Sequence, residues 1–195
     1  MSYVSDGTFR KKLESFFGPL VAQSEVEERE AWVDEELSLL PAELLPEIDA
    51  LYELHRKFVV PELCMWGVFN CCTWPALYSM DEDEVREEEF FKEEVDVQRA
   101  LTNVTLYNNA FGTYVTVGSE GVLHLSEDPH GFEPLCDDLS TFLDVVLHLE
   151  AAKQGKFSAE TADAMVKSSL HKEDDEEYPL FIQNTLEDAR EKAGA

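Results

Sequence analysis

Basic residues are scarce in this sequence, and their scarcity limits the kinds of partner it can bind. The 195 residues include 42 Asp and Glu but only 15 Lys and Arg, so the formal net charge at pH 7 is -27. Such a surface repels nucleic acids and anionic membranes, and it attracts cations and basic proteins. We therefore expect no nucleic acid and no membrane among its partners. The acidic surplus fits either a strongly solvated surface or a face shaped for a basic partner protein.

Long apolar runs and paired cysteines are also missing. No segment approaches the roughly 18 apolar residues that cross a bilayer, and the first residues, MSYVSDGTFRKKLESFF, contain no apolar stretch of signal-peptide length. The cysteines form no Cys-x-x-Cys pair and are Cys64, Cys71, Cys72 and Cys136. We expect a cytoplasmic protein with reduced thiols. Because the spacing of these cysteines from His124 or His130 fits no standard zinc pattern, we predict neither a metal nor a cofactor.

No stretch of the chain matches a catalytic motif. The histidines are scattered and are His55, His124, His130, His148 and His171. An enzyme would have to use Asp128 with His124 or His130, or Cys136 with a histidine. A Cys–His dyad needs a proximity in space that no local motif provides here. We predict a protein without catalytic activity and keep an uncharacterised enzyme as the second alternative.

The clearest local pattern is a β-hairpin. Tyr114–Val117 and Val122–Leu125 alternate with a period of two, and Gly118–Gly121 between them is a loop with a glycine at each end. Val104–Tyr107 predicts an upstream strand, which gives a three-stranded antiparallel meander, and Phe132–Cys136 predicts a short last strand. The predicted buried face holds Val115, Val117, Leu123 and Leu125. The predicted opposite face holds Tyr114, Thr116, Val122 and His124.

Helical periodicity surrounds this sheet and predicts an α+β fold, with flanking helices and helical extensions at both termini. The predicted helices cover residues 8–22, 24–40, 42–58, 139–152, 158–170 and 179–192. The apolar segment 65–74 predicts either one buried strand or two short strands. Asp138 and Ser158 are N-cap residue types and begin two of these helices. We divide the chain into an N-terminal extension (1–40), a core domain (41–153) and a C-terminal arm (154–195). The arm either packs back on the core or binds a partner.

The most acidic run is Met80–Glu94, with the sequence MDEDEVREEEFFKEE. Only Arg86 and Lys92 interrupt it, and clustered like charges weaken a helix, so the run is either an exposed helix or a loop. Phe90-Phe91 either docks on the core or anchors a partner. We predict a partner-binding site at Asp81, Glu82, Asp83, Glu84, Glu87, Glu88 and Glu89. The alternative is that these carboxylates are merely solvated.

Three parts of the sequence, over roughly residues 45–149, form a pattern together. The first is a helix that begins with Leu45-Pro46-Glu47. The second is the step from Leu77 to Glu82 at the start of the acidic run. The third is a strand–hairpin–strand unit that starts near Phe111 and ends in a helix beginning Asp138-Leu139-Ser140-Thr141-Phe142-Leu143. In this pattern the sequence resembles the SUKH superfamily.

This resemblance implies a single α+β domain that binds another protein. Many members of the superfamily are immunity proteins that bind and block toxins, often nucleases. An acidic protein suits such a partner because a nuclease presents a basic groove to phosphates. We therefore expect a non-catalytic module that blocks a basic, nuclease-type toxin through its acidic surface. The alternative is a structural or regulatory interaction protein that uses its terminal helices.

Overall fold

The computed structural model describes residues 2–26, 28–29, 40–59, 93–108, 114–127, 130–171 and 178–194. These residues form six helices: α1 (Thr8–Phe17), α2 (Leu45–Lys57), α3 (Glu94–Thr102), α4 (Leu139–Lys153), α5 (Ala159–Ser169) and α6 (Leu180–Gly194). They also form six strands: β1 (Val21–Ala22), β2 (Phe58–Val59), β3 (Val104–Asn108), β4 (Tyr114–Gly118), β5 (Gly121–Glu127) and β6 (His130–Cys136). The predicted α+β fold, an antiparallel sheet with flanking helices, is confirmed.

The main sheet is a four-stranded antiparallel meander in the order β3-β4-β5-β6. The predicted hairpin is present as β4 and β5. Its ladder continues to Gly118 opposite Gly121, so the turn consists of Ser119 and Glu120 alone. The predicted last strand begins two residues earlier than expected, at His130, and pairs with β5 along its length. Each strand thus pairs with its neighbour in the chain, which requires only short connections.

The predicted assignment of hairpin residues to two faces is wrong. Residues opposite each other in an antiparallel ladder point to the same side of the sheet. Val117 is opposite Val122, so Val122 belongs to the face of Val115 and Val117, whereas Leu123 is opposite Thr116 and shares its face. All five side chains are buried. Both faces of the sheet are therefore covered, and alternation of polarity could not distinguish them.

Helix α4 forms the centre of the core. It contacts α1, α5 and α6 as well as strands β5 and β6. A helix enclosed in this way is apolar on every side, and nine of its 15 residues are buried: Leu139, Phe142, Leu143, Val145, Val146, Leu147, Leu149, Ala151 and Ala152.

Asp138 caps α4 as predicted, because its Oδ1 accepts a hydrogen bond from the Thr141 N–H at 2.9 Å. Replacing Asp138 with alanine removes this acceptor, and we expect the free energy of unfolding to fall by about 1 kcal/mol. Urea denaturation at neutral pH measures the change. Asp138→Asn is the control, since it keeps a side-chain oxygen and should stay close to the wild type. Equal losses in the two variants would contradict the capping role.

Helix α3 covers the other face of the sheet, where it contacts β4 and β6. Val97 of α3 is buried, as are Leu123 and Phe132, and none of the three belongs to the main core around α4. The amide of Asn103, directly after α3, donates a hydrogen bond to Thr116 Oγ1 at 3.3 Å. The sequence pattern did not predict α3, although four of its nine residues are apolar.

The N-terminal helices differ from the prediction at their ends. Helix α1 ends at Phe17 instead of residue 22, because Gly18-Pro19 follows it, and Val21–Ala22 instead pairs with β2. Residues 24–26 and 28–29, where a second helix was predicted to begin, are not helical, and 30–39 lies outside the described residues. Helix α2 begins at Leu45, three residues later than predicted, with Pro46 in its first turn, where proline is tolerated.

A buried carboxylate ties the N-terminal segment to α2. Glu47 Oε2 accepts hydrogen bonds from the backbone N–H of Tyr3 at 2.8 Å and of Val4 at 2.6 Å. Its Oε1 accepts the Ser5 hydroxyl and the Ser5 N–H. Burial by itself raises the pKa of Glu47, but these hydrogen bonds outweigh it and hold the pKa below its usual value. Glu47 therefore substitutes for the backbone partners that this segment lacks.

The terminal helices share the core of α4. Their buried residues are Phe9, Leu13 and Phe17 in α1, Ala159, Ala162 and Val166 in α5, and Ile182, Leu186 and Ala189 in α6. The predicted N-cap of α5 is present, since Ser158 Oγ accepts the Thr161 N–H at 3.1 Å. Of the two alternatives for the C-terminal arm, its helices pack back against α4.

Candidate partner-binding surface

The predicted binding residues of the acidic run lie outside the described residues: Asp81, Glu82, Asp83, Glu84, Glu87, Glu88 and Glu89. So do the predicted strand at 65–74, Cys64, Cys71, Cys72 and Phe90-Phe91. The side chains of Tyr114, Leu125 and His130 are likewise not among those described. The structure describes the last two residues of the run, Glu93 and Glu94, and the helix α3 that begins with Glu94.

Helix α3 exposes one carboxylate, Glu94, and buries the other, Asp96. Asp96 and Val97 are buried, with 4% and 3% of their surfaces exposed, whereas Glu93, Glu94 and Gln98 are exposed. Val95 is also exposed, at 51%. The acidic run therefore ends in the exposed first turn of α3, and the exposed residues described beyond it in this helix are uncharged.

A network of charges fixes α3 to the sheet. Arg99 forms a two-pronged ion pair with Glu120 in the hairpin turn, through Nε to Oε1 at 3.1 Å and Nη2 to Oε2 at 2.7 Å. Its Nη1 also donates to Asp96 Oδ1 at 3.1 Å and to the Phe132 carbonyl at 3.3 Å. The hydrogen bond from Arg99 lowers the pKa of Glu120. Two carboxylates thus neutralise the one basic side chain of α3.

The same network requires a close approach between α3 and β6. Asp96 Oδ1 accepts the Phe132 N–H at 3.2 Å, which brings its carboxylate against the backbone of the strand. A Cβ atom at Gly131 would lie 3.1 Å from Asp96 Oδ2, so glycine leaves room there for the buried carboxylate. Sequence reasoning missed Asp96 and Arg99, since neither belongs to a recognisable motif and their partners lie more than 20 residues away.

Basic side chains in the described part of the chain are largely occupied by carboxylates of the same chain. The pairs are Arg10–Glu14, Lys12–Asp144, Arg29–Asp49, Arg56–Glu53, Lys57–Glu53, Arg99–Glu120, Lys153–Asp188, Lys167–Asp163 and Arg190–Asp163. Exposed carboxylates remain on several elements, including Glu25, Glu28, Glu43, Glu93, Glu187 and Glu191. The outward charge is therefore negative over much of the described surface.

The cysteine considered as a nucleophile is unsuited to that role. Cys136 has 1% of its surface exposed, and its Sγ lies 3.5 Å from the Asp138 carbonyl oxygen. Burial raises the pKa of the Cys136 thiol to about 12. A reactive cysteine needs a lowered pKa and access to solvent, and Cys136 has neither.

The histidines whose side chains are described each contact a different part of the fold. His124 Nε2 lies 3.7 Å from Glu133 Oε2 on the neighbouring strand. His171 Nε2 is 2.9 Å from Asp137 Oδ1, and His148 Nδ1 is 2.6 Å from the Asp144 carbonyl oxygen. Among the described residues, no group of three or more His, Cys, Asp or Glu is arranged to hold a metal ion.

Comparison with known proteins adds no relative from which a function can be transferred. No family model, curated protein or solved structure matches the chain. None of the helices in the described ranges combines the length and apolar character needed to cross a membrane. Function must therefore be inferred from charge and geometry.

Proposed function

We propose that this protein is a non-catalytic binding module that docks a basic protein through the acidic run Asp81–Glu89 and the exposed face of α3. The observation that carries this is the internal pairing of basic side chains, which leaves the surplus of carboxylates on the outside. Complementary charge steers association and raises its rate. A cationic partner is favoured for this reason over any anionic one.

Helix α3 gives the proposed site a rigid border. Asp96 and Val97 are the buried residues of this helix, and Arg99 forms an ion pair with Glu120 in the adjacent turn. The ordering of these side chains is already complete before a partner arrives, which lowers the entropy cost of binding there. Val95, exposed among the carboxylates, adds an apolar contact of the kind found within polar interfaces.

In its specific form, we propose an immunity protein of the SUKH type, acting in the cytoplasm on a nuclease-type toxin. Two features support this. The resembling segments run from Leu45 to Leu149, and β3 to α4 forms a strand–hairpin–strand unit followed by a helix. An acidic surface also competes well for a groove that evolved to hold phosphates. The terminal helices are less suited as the interface, because α1, α5 and α6 already bury their apolar residues.

Charge neutralisation tests the site. The variant Asp81→Asn, Glu82→Gln, Asp83→Asn, Glu84→Gln removes four charges of the run, and a second variant neutralises Glu87, Glu88 and Glu89. The probe is the purified protein encoded by the reading frame next to the one that encodes this chain, since an immunity protein and its toxin are expected to be encoded side by side. It is titrated by calorimetry at about 50 mM and about 300 mM salt. Exposed ion pairs contribute about 0.2–1 kcal/mol each, so we expect the four-charge variant to bind about tenfold more weakly at the lower salt.

A charge-matched control distinguishes a localised binding site from a general attraction between the acidic protein and a basic partner. Neutralising Glu25, Glu28, Glu187 and Glu191 removes four exposed charges elsewhere, and the expected loss is less than about threefold. Equal losses in the two four-charge variants would contradict a localised site. Absence of binding to the neighbouring product, together with no inhibition of its activity, would contradict the immunity role.

A further inference from the structure

Glu150 is a half-buried carboxylate on α4, on the side of the helix that faces α6. It lies one turn before Lys153, and residues three apart share a helix face. Lys153 Nζ reaches Asp188 Oδ2 on α6 at 2.9 Å, so this face of α4 meets α6. Ala151 and Ala152 beside it are buried. Within the described structure, the Glu150 side chain makes no hydrogen bond or ion pair of its own.

The charges near Glu150 do not compensate for its burial. Lys153 favours its ionised form, but Lys153 is already paired with Asp188, and Asp188 repels a second carboxylate. Several charged groups on the other elements packed against α4 are paired elsewhere: Lys12 of α1 with Asp144, Asp163 of α5 with Lys167 and Arg190, and Glu133 of β6 with His124. Glu187 and Glu191 of α6 are exposed carboxylates and cannot stabilise a second negative charge. An ionised Glu150 is therefore poorly stabilised on the face of α4 that meets α6.

We propose that α6 is a pH-responsive element, held against α4 while Glu150 is protonated and loosened when Glu150 ionises. The neutral acid fits beside Asp188 without repulsion, whereas the carboxylate gains hydration if α6 moves away. The segment that would be released, Leu180–Gly194, exposes Ile182, Leu186 and Ala189 when it leaves. Solution pH would thereby control whether an amphipathic helix is available at this end of the fold.

The sign and the pH window follow from linkage. Burial raises the pKa of Glu150 from its usual value to about 7, with the charge of Asp188 adding to the rise. A raised pKa favours the folded arrangement fully below the ordinary carboxyl pKa, and this advantage is lost as pH rises through about 7. Docking of α6 should therefore weaken between mildly acidic and mildly alkaline pH.

Hydrogen exchange measured by mass spectrometry on the full chain tests this. After correction for the base catalysis of intrinsic exchange, the opening equilibrium of α6 amides should rise about tenfold between pH 6 and pH 8 in the wild type. In Glu150→Gln, which cannot ionise, we expect this rise to be less than about twofold. Amides of α1 serve as the internal reference and should not follow α6.

Glu187→Gln is the matched control, because it removes one exposed carboxylate from α6 itself without touching the buried face. It should keep the pH response of the wild type, and all five histidines are present in each of the three proteins. An equal pH response in wild type and Glu150→Gln would overturn the proposal. So would a response shared equally by α1 and α6, since that would mark global unfolding.

Discussion

Replacing Gly121 with alanine is expected to lower the free energy of unfolding by about 3 kcal/mol. Gly121 begins β5 with a φ of 97°, and a left-handed φ costs a residue with a Cβ atom about 1–2 kcal/mol. The added Cβ would also lie 2.8 Å from the carbonyl oxygens of both Cys136 and Asp137. Because these are backbone atoms at the end of β6, relief requires the strand to move, which adds about 1–2 kcal/mol. Urea denaturation measures the total.

Gly155→Ala is the control for the backbone contribution alone. Gly155 has a φ of 71°, and nothing lies within 4 Å of the position that a Cβ would take. Its substitution should therefore cost about 1 kcal/mol. If the two alanine variants lost the same stability, the close contact between Gly121 and the end of β6 would make no contribution to the loss. The backbone of Gly121 would then not lie as close to Asp137 as described.

Replacing Glu47 with glutamine is expected to cost about 2 kcal/mol at neutral pH, since hydrogen bonds to a charged group contribute about 1.5–3 kcal/mol. The amide keeps one acceptor oxygen but places an NH2 group against the N–H donors of Tyr3, Val4 or Ser5. The pKa of Glu47 is lowered on folding, so its contribution is present above the ordinary carboxyl pKa and is lost as pH falls through the folded value. The difference between the two proteins should shrink in acid.

Urea denaturation at pH 7 and near pH 3 measures this difference, and Glu43→Gln is the matched control. Glu43 is exposed just before α2, so its substitution should change stability by less than about 0.5 kcal/mol at either pH. A difference between wild type and Glu47→Gln that stayed constant with pH would show that the carboxylate charge is not what holds the N-terminal segment.

The elements that the sequence predicted well are those whose causes lie within a few residues. The hairpin follows from alternation on either side of Gly118–Gly121, and its turn needs only Ser119 and Glu120. Helix α4 follows from the Asp138 cap and from an apolar run, and α5 follows from the Ser158 cap. In each case the deciding contact joins residues only three apart in the chain. A short window of sequence therefore contains the residues needed to predict the element.

The elements that the sequence did not predict depend on partners far along the chain. Glu47 meets Tyr3 across 44 residues, and Arg99 meets Glu120 across 21. Helix α3 is held by the ion pair between Arg99 and Glu120 and by the burial of Val97. The face of Leu123 was misassigned for a related reason, since α3 buries the side of the sheet that alternation alone would leave to water.

For the candidate site, the sequence by itself determined the sign and size of the charge, since 42 acidic and 15 basic residues give a net charge of -27 in any conformation. Only the tertiary structure decided how that charge is distributed. It pairs Lys153 with Asp188 and Arg99 with Glu120, and it half-buries Glu150 on the face of α4 that meets α6. The physical reason is that a charge is a property of one residue, whereas desolvation and pairing are properties of what folding brings next to it.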